Sequence, residues 1–179
     1  MQRIGLLAAV CALTTACAST GAVPQPFPTP GGSAPAGGAR TPDRPIAAPA
    51  GPLTPAQAQG HRVASMALEF RGVPYRNGGT DPAGFDCSGL VVYVFTKLGQ
   101  PVPRQTSAQF TVGRAVDRTD LRAGDLVFFS TVAPGASHVG IALDDDEFVH
   151  APSSNGVVRV ERLTATYWRT RFVGARRVN

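Results

Sequence analysis

The sequence predicts an α+β domain in which N-terminal helices carrying a cysteine pack on an antiparallel β-sheet. Two apolar stripes at helical spacing lie between residues 54 and 98. Beyond Leu121 the pattern changes to short alternating runs broken by turn formers. Helices first and strands afterwards is the α+β order, not the alternation that builds a parallel sheet.

At 179 residues the chain holds one ordinary domain. Its first 17 residues have one basic side chain, Arg3, then an apolar run from Ile4 to Leu13, then small residues ending on Cys17. That is the layout of an export signal, and the run is too short for a permanent membrane span. Residues 18–53 contain 9 Pro, 6 Gly and 8 Ala, and their charges are Arg40, Asp43 and Arg44. Such a segment buries too little apolar surface to offset its ordering entropy, so it reads as a disordered tether. Its reach is about 35 Å as a coil and about 110 Å as stretched polyproline. The folded domain is expected over residues 54–179.

Thr54-Pro55-Ala56-Gln57 has an N-cap, a proline at the first helical position and the glutamine of a capping box. Val63, Ala64, Ala67, Leu68 and Phe70 form the apolar stripe that follows, and Gly72 and Pro74 end it. A turn-rich loop runs from Tyr75 to Gly84. A second helix is expected from Cys87 to Leu98, with Leu90, Val91, Val94 and Phe95 on one face and Gly99 after its end. A short helix is expected near 104–110. Strands are expected at 125–130, 138–143, 147–151, 157–163 and 171–178, with Asp144-Asp145-Asp146 as a turn.

The cysteines carry the functional signal. Of Cys11, Cys17 and Cys87, the first leaves with an export signal; if Cys17 carries lipid it has no free thiol, and Cys87 is then alone in a compartment that favours disulfides. A lone thiol there is either a small buried hydrophobe or one kept for its reactivity. Asp86 is placed as the N-cap of the second helix, so Cys87 sits in the first turn, where unpaired N–H groups and the helix dipole favour negative charge. With His138 this is expected to depress the thiol pKa below about 8.5. A thiolate mechanism also needs a base, and His138 and His150 both lie in the expected hairpin. Alternation puts Val139, Ile141 and Leu143 toward the core and His138 on the other side. A hairpin centred on Asp144 places His138 directly opposite His150.

The chain resembles the NlpC-type family of papain-like cell-wall peptidases. The matching pieces run in order through Tyr75-Arg-Asn-Gly-Gly79, Asp86-Cys-Ser-Gly-Leu-Val91, Pro103-Arg-Gln-Thr-Ser-Ala-Gln109, Leu121-Arg-Ala-Gly-Asp-Leu-Val-Phe-Phe129, His138-Val-Gly-Ile141 and Phe148-Val-His-Ala151. The resemblance implies a papain-like fold and hydrolysis of peptidoglycan stem peptides or cross-links. It implies Cys87 as nucleophile, His138 as general base and His150 as the group that orients it. It places Tyr75 at the oxyanion site, with Asp86 and Ser88 flanking the nucleophile where the substrate peptide binds. No cofactor and no metal are implied, and a monomer is expected. Thr14-Thr15-Ala16-Cys17 resembles a bacterial lipobox, with Leu13 four residues before the cysteine where three is usual. Lipid on Cys17 would anchor the chain in a membrane, and Ser19 in place of an Asp favours the periplasmic face of the outer membrane.

Other classes fit less well. The formal charge of +5 falls to +4 without Arg3, no Lys/Arg run appears and aromatics are 7%, so a nucleic-acid groove is not expected. His61, His138 and His150 lack ligand-pair spacing for zinc, and Asp144–Asp146 lacks the length and the final Glu of a calcium loop. A lipid-directed acyl transferase tends to place its histidine before its cysteine, the reverse of the order here. Tyr167 and Trp168 read as core, and His61 as solvent-facing. Arg104 and Gln109 either line a cleft or cap the short helix.

Overall fold

A computed structural model describes residues 51–153 and 156–178. The export signal, lipidation at Cys17 and nearly all of the tether lie outside the described residues. Helix α1 spans Pro55–Glu69, and both halves of its capping box form between Thr54 and Gln57. It buries Val63, Ala64 and Ala67. Helix α2 spans Cys87–Lys97 and buries Leu90, Val91, Val94 and Phe95. Each such side chain contributes about 1.5–3 kcal/mol on leaving water. Gly99 takes φ 76° just past the helix. Its N–H reaches Thr96 O and that of Gln100 reaches Phe95 O, a Schellman ending that satisfies the last carbonyls.

Between the helices, two short strands, β1 (Thr80–Asp81) and β2 (Gly84–Phe85), form a small hairpin. After α2 come α3 (Thr106–Gln109), β3 (Arg114–Val116) and a 3-10 turn at Arg118–Asp120. The main strands are β4 (Leu126–Phe129), β5 (His138–Ala142), β6 (Glu147–His150), β7 (Arg159–Arg162) and β8 (Phe172–Arg177). Helix α4 (Thr166–Arg169) precedes β8. The six-stranded sheet has the order β3-β8-β4-β5-β6-β7, and its pairings are antiparallel. The last strand therefore enters between β3 and β4.

Both faces of the sheet are buried. Leu126, Phe128, Val139, Ile141 and Val149 pack under α1 and α2. Val127, Phe129, Ala142 and Phe148 point the other way into a second core closed by Leu163 and Trp168. The expected alternation is thus present, but the face that carries His138 is not open to water. At the far end of the sheet Asp125, 1% exposed, is held by two hydrogen bonds of 2.6 Å from Arg177.

The hairpin register differs from the expected one. Ile141 pairs with Val149 and Ala142 with Phe148, which centres the hairpin on Asp145. The side chain of Asp144 explains the shift. Its Oδ1 accepts the N–H groups of Asp146 (2.8 Å) and Glu147 (2.7 Å), so Asp144 caps the turn instead of forming its apex. Continued one step, this register sets Gly140, not His138, opposite His150. The two histidines become diagonal neighbours on one face, still within side-chain reach.

Candidate active site

The loop 74–86 leads into the helix that begins at Cys87. Phe85 N–H donates to Pro74 O and Arg76 N–H to Phe85 O, so residues 74–76 run beside 84–86 and bring Tyr75 to the start of α2. Asp86 caps that helix, its Oδ1 accepting Gly89 N–H at 2.7 Å. Asp86 N–H in turn donates to Gly79 O. Gly89 is required here, because a methyl on it would overlap the Gly79 carbonyl oxygen.

Cys87 is a free, partly exposed thiol in the first turn of α2. Its sulfur lies 3.8 Å from Thr106 Oγ1, and the backbone N–H groups of Ser88 and Val139 act on it to favour the thiolate. The influence of Val139 places Cys87 near the start of β5, where His138 lies. His138 Nε2 and His150 Nδ1 are 2.8 Å apart, with rings nearly perpendicular at 89°. Both rings are buried, and Trp168 walls them, stacked on His138 at 5.6 Å and edge-on to His150 at 4.9 Å. The sequence placed Trp168 in the core; it also fixes the plane of both imidazoles.

Burial, with Arg159 nearby, pushes the His138 pKa down to about 3. Burial also holds His150 well below the ordinary imidazole range, and His138 and Arg159 act in the same direction. Both are neutral at pH 7. The expectation of a depressed Cys87 pKa is corrected. Burial pushes the thiol up and Asp86 adds to it, against the opposing hydrogen bonds from Thr106, Val139 and Ser88. A neutral His138 offers no imidazolium to offset this, and the helix start alone does not overcome desolvation. The resting pair is thiol and neutral imidazole, suited to general-base activation.

Two residues left open in the sequence find a place. Arg104 ion-pairs with Asp86 and donates to Ser88 Oγ at 2.6 Å. Gln109, 0% exposed, donates to Pro103 O at 2.8 Å and Ser88 O at 3.2 Å. Neither caps α3, which has no side-chain cap. Both brace the Asp86-Cys87-Ser88 turn. Tyr75 is drawn into the same group. Burial raises its phenol pKa, and Cys87 and Asp86 raise it further while Arg104 opposes them. Thr106 was not singled out from sequence, although it lies within the Pro103–Gln109 motif. His61 is half-buried, not fully solvent-facing. Among the described residues no cluster of potential metal ligands occurs, and Asp144 and Asp146 spend their oxygens on the turn, Arg162 and Thr164.

Known proteins resemble this chain in sequence and in fold. The model of the NlpC/P60 family matches residues 72–177. A protein of Escherichia coli (strain K12), named murein DD-endopeptidase MepS/murein LD-carboxypeptidase, is 41% identical over 118 residues. That match covers 65% of this chain and 62% of the relative's length. The structure of an NlpC/P60 family protein from Bacillus cereus ATCC 10987 superposes with a TM-score of 0.62 at 32% identity, covering 66% of this chain and 39% of that one. The NlpC/p60 domain of the peptidoglycan hydrolase SagA superposes with a TM-score of 0.57 at 33% identity, covering 65% of this chain and 96% of that domain. The papain-like α+β fold is therefore shared, and in this chain the helix that begins at Cys87 packs on the sheet that bears the histidines. By its motifs, by the span of the match and by its fold, the chain belongs to the NlpC/P60 family.

Proposed function

We propose that this chain is a peptidoglycan endopeptidase that cleaves amide bonds of stem peptides or cross-links through Cys87, His138 and His150. The bond between His138 Nε2 and His150 Nδ1 carries this reading. It holds the base by one ring nitrogen and leaves the other, Nδ1, as the one that exchanges a proton with the thiol in this reading. The names of the relatives support the substrate class.

His138 takes the Cys87 proton as the sulfur attacks the scissile carbonyl. The backbone N–H of Cys87 and the Tyr75 hydroxyl stabilise the developing oxyanion. The C–N bond then breaks, His138 returns the proton to the leaving amine, and a thioester remains on Cys87. Water attacks the thioester, losing its proton to His138. The acid product leaves as the thiol is restored. The imidazolium exists transiently, and His150 accepts its Nε2 proton in a hydrogen bond that stabilises the charge. Asp86 and Ser88, braced by Arg104, flank the bound peptide.

The N-terminal reading completes the proposal. Lipid on Cys17 anchors the chain at the periplasmic face of the outer membrane, and residues 18–53 let the domain reach the wall. Mass spectrometry of the chain extracted from cell membranes tests the anchor: diacylglyceryl on Cys17 is expected, and a free chain beginning elsewhere contradicts it. For the chemistry, the full chain should lower the turbidity of purified sacculi while Cys87→Ala does not. Equal clearing by both would remove Cys87 from the mechanism.

A further inference from the structure

At the opposite end of α2 from the nucleophile lies a groove of about 590 Å³, between the start of α1, the end of α2 and the ends of β3 and β8. Eleven helical residues separate the two sites, a distance of about 16 Å at the ordinary rise per residue. The groove belongs neither to the catalytic group nor to its braces.

Its charge is one-sided. Arg62, Arg114, Arg122 and Arg177 line it, with Asp125 as the lining acid. Arg177 neutralises Asp125. Arg62, Arg114 and Arg122 are exposed and have no carboxylate partner among the described residues. Arg62 instead meets the neutral Gln59. Three uncompensated guanidiniums around one concavity call for an anion with several oxygens.

We infer that this groove docks the phosphate headgroups of an anionic phospholipid surface. The choice of a membrane rests on where the chain enters the domain, and so on the lipid-anchor reading above. Pro55 and Ala56, the first residues of α1, line the groove, so the tether arrives at its rim. The tether itself carries Arg40, Asp43 and Arg44 and cannot neutralise three arginines. The segment proposed to carry the lipid therefore joins the domain beside these arginines, and their charge, not the tether, would select this face at a headgroup surface. While docked there, the domain would hold Cys87, at the other end of α2, on the side away from the membrane, and release would let the tether carry it to the wall.

The test uses the full chain carrying Cys17→Ser, which has no lipid attachment, and compares phosphatidylcholine vesicles with vesicles one-third phosphatidylglycerol. Any affinity of the apolar N-terminal segment is common to both. Tighter binding to the anionic vesicles is expected, weakening as salt rises. Combined Arg62→Gln, Arg114→Gln and Arg122→Gln should lower it at least about tenfold, with sacculus clearing unchanged as the check on folding. Equal binding to both vesicle types, or no effect of the triple change, overturns the inference. So does charge-dependent binding to isolated sacculi without binding to vesicles, which would make the partner the wall. A missing lipid on Cys17 fails the anchor reading separately, because the vesicle comparison does not use it.

Discussion

At the scale of single residues, the site stores its reactivity in neutral form. Cys87 carries its proton because burial and Asp86 both disfavour a thiolate. Alkylation of Cys87 by iodoacetamide, followed across pH, should therefore give a midpoint above about 8.5, the ordinary value for a thiol. A midpoint below 7 would mean a preformed ion pair with His138. His150 touches His138, and in the proposed mechanism it positions the base. His150→Ala should lower kcat by about a hundredfold or more with little change in KM. His150→Gln, which keeps an acceptor, should recover part of the loss. If His150→Ala acts through KM alone, the residue does not orient His138.

At the scale of elements, the helix that presents the nucleophile depends on one close approach. Alanine in a helix interior ordinarily gains about 1 kcal/mol over glycine. At Gly89 the sign reverses, because the added methyl meets backbone at Gly79. Gly89→Ala should lower the melting temperature and reduce turnover together, and unchanged melting would show that the loop yields without cost. The helices were legible in the sequence because caps and apolar stripes are local. Thr54, Gln57, Asp86 and Gly99 act where they were placed. Strands β5 and β6 were legible from alternation, and β4 from its continuous apolar run Leu126-Val127-Phe128-Phe129. The hairpin register was not, because one side-chain oxygen on Asp144 sets it against three equivalent aspartates in a row. Strand β3 carries a single buried residue in three, too short to show a period. Arg104 and Gln109 stood in a motif, but their partners on α2 are 16 to 21 residues away in sequence and came from the fold.

At the scale of the whole molecule, two neutral imidazoles under a second core make the fold acid-sensitive. Unfolding returns each histidine to a pKa near 6.5. As pH falls below that value the unfolded chain takes up protons that the folded chain refuses. Stability is then lost at up to about 1.4 kcal/mol per pH unit for each imidazole, until pH approaches the His138 value of about 3. The urea midpoint should therefore drop between pH 7 and pH 5, before carboxylates titrate, and drop less in His150→Gln. No change over that interval would contradict the burial of the pair.

The molecule as a whole is a sheet buried on both faces, with the helix that begins at Cys87 on one side and His138 walled by Trp168 on the other. Its central claim is tested most directly by digesting purified muropeptides, cross-linked and uncross-linked, with the full chain and with Cys87→Ala, read by mass spectrometry. New fragments with the wild type and none with the variant are predicted, and their masses name the bond. No fragments from either protein, or the same fragments from both, would contradict it.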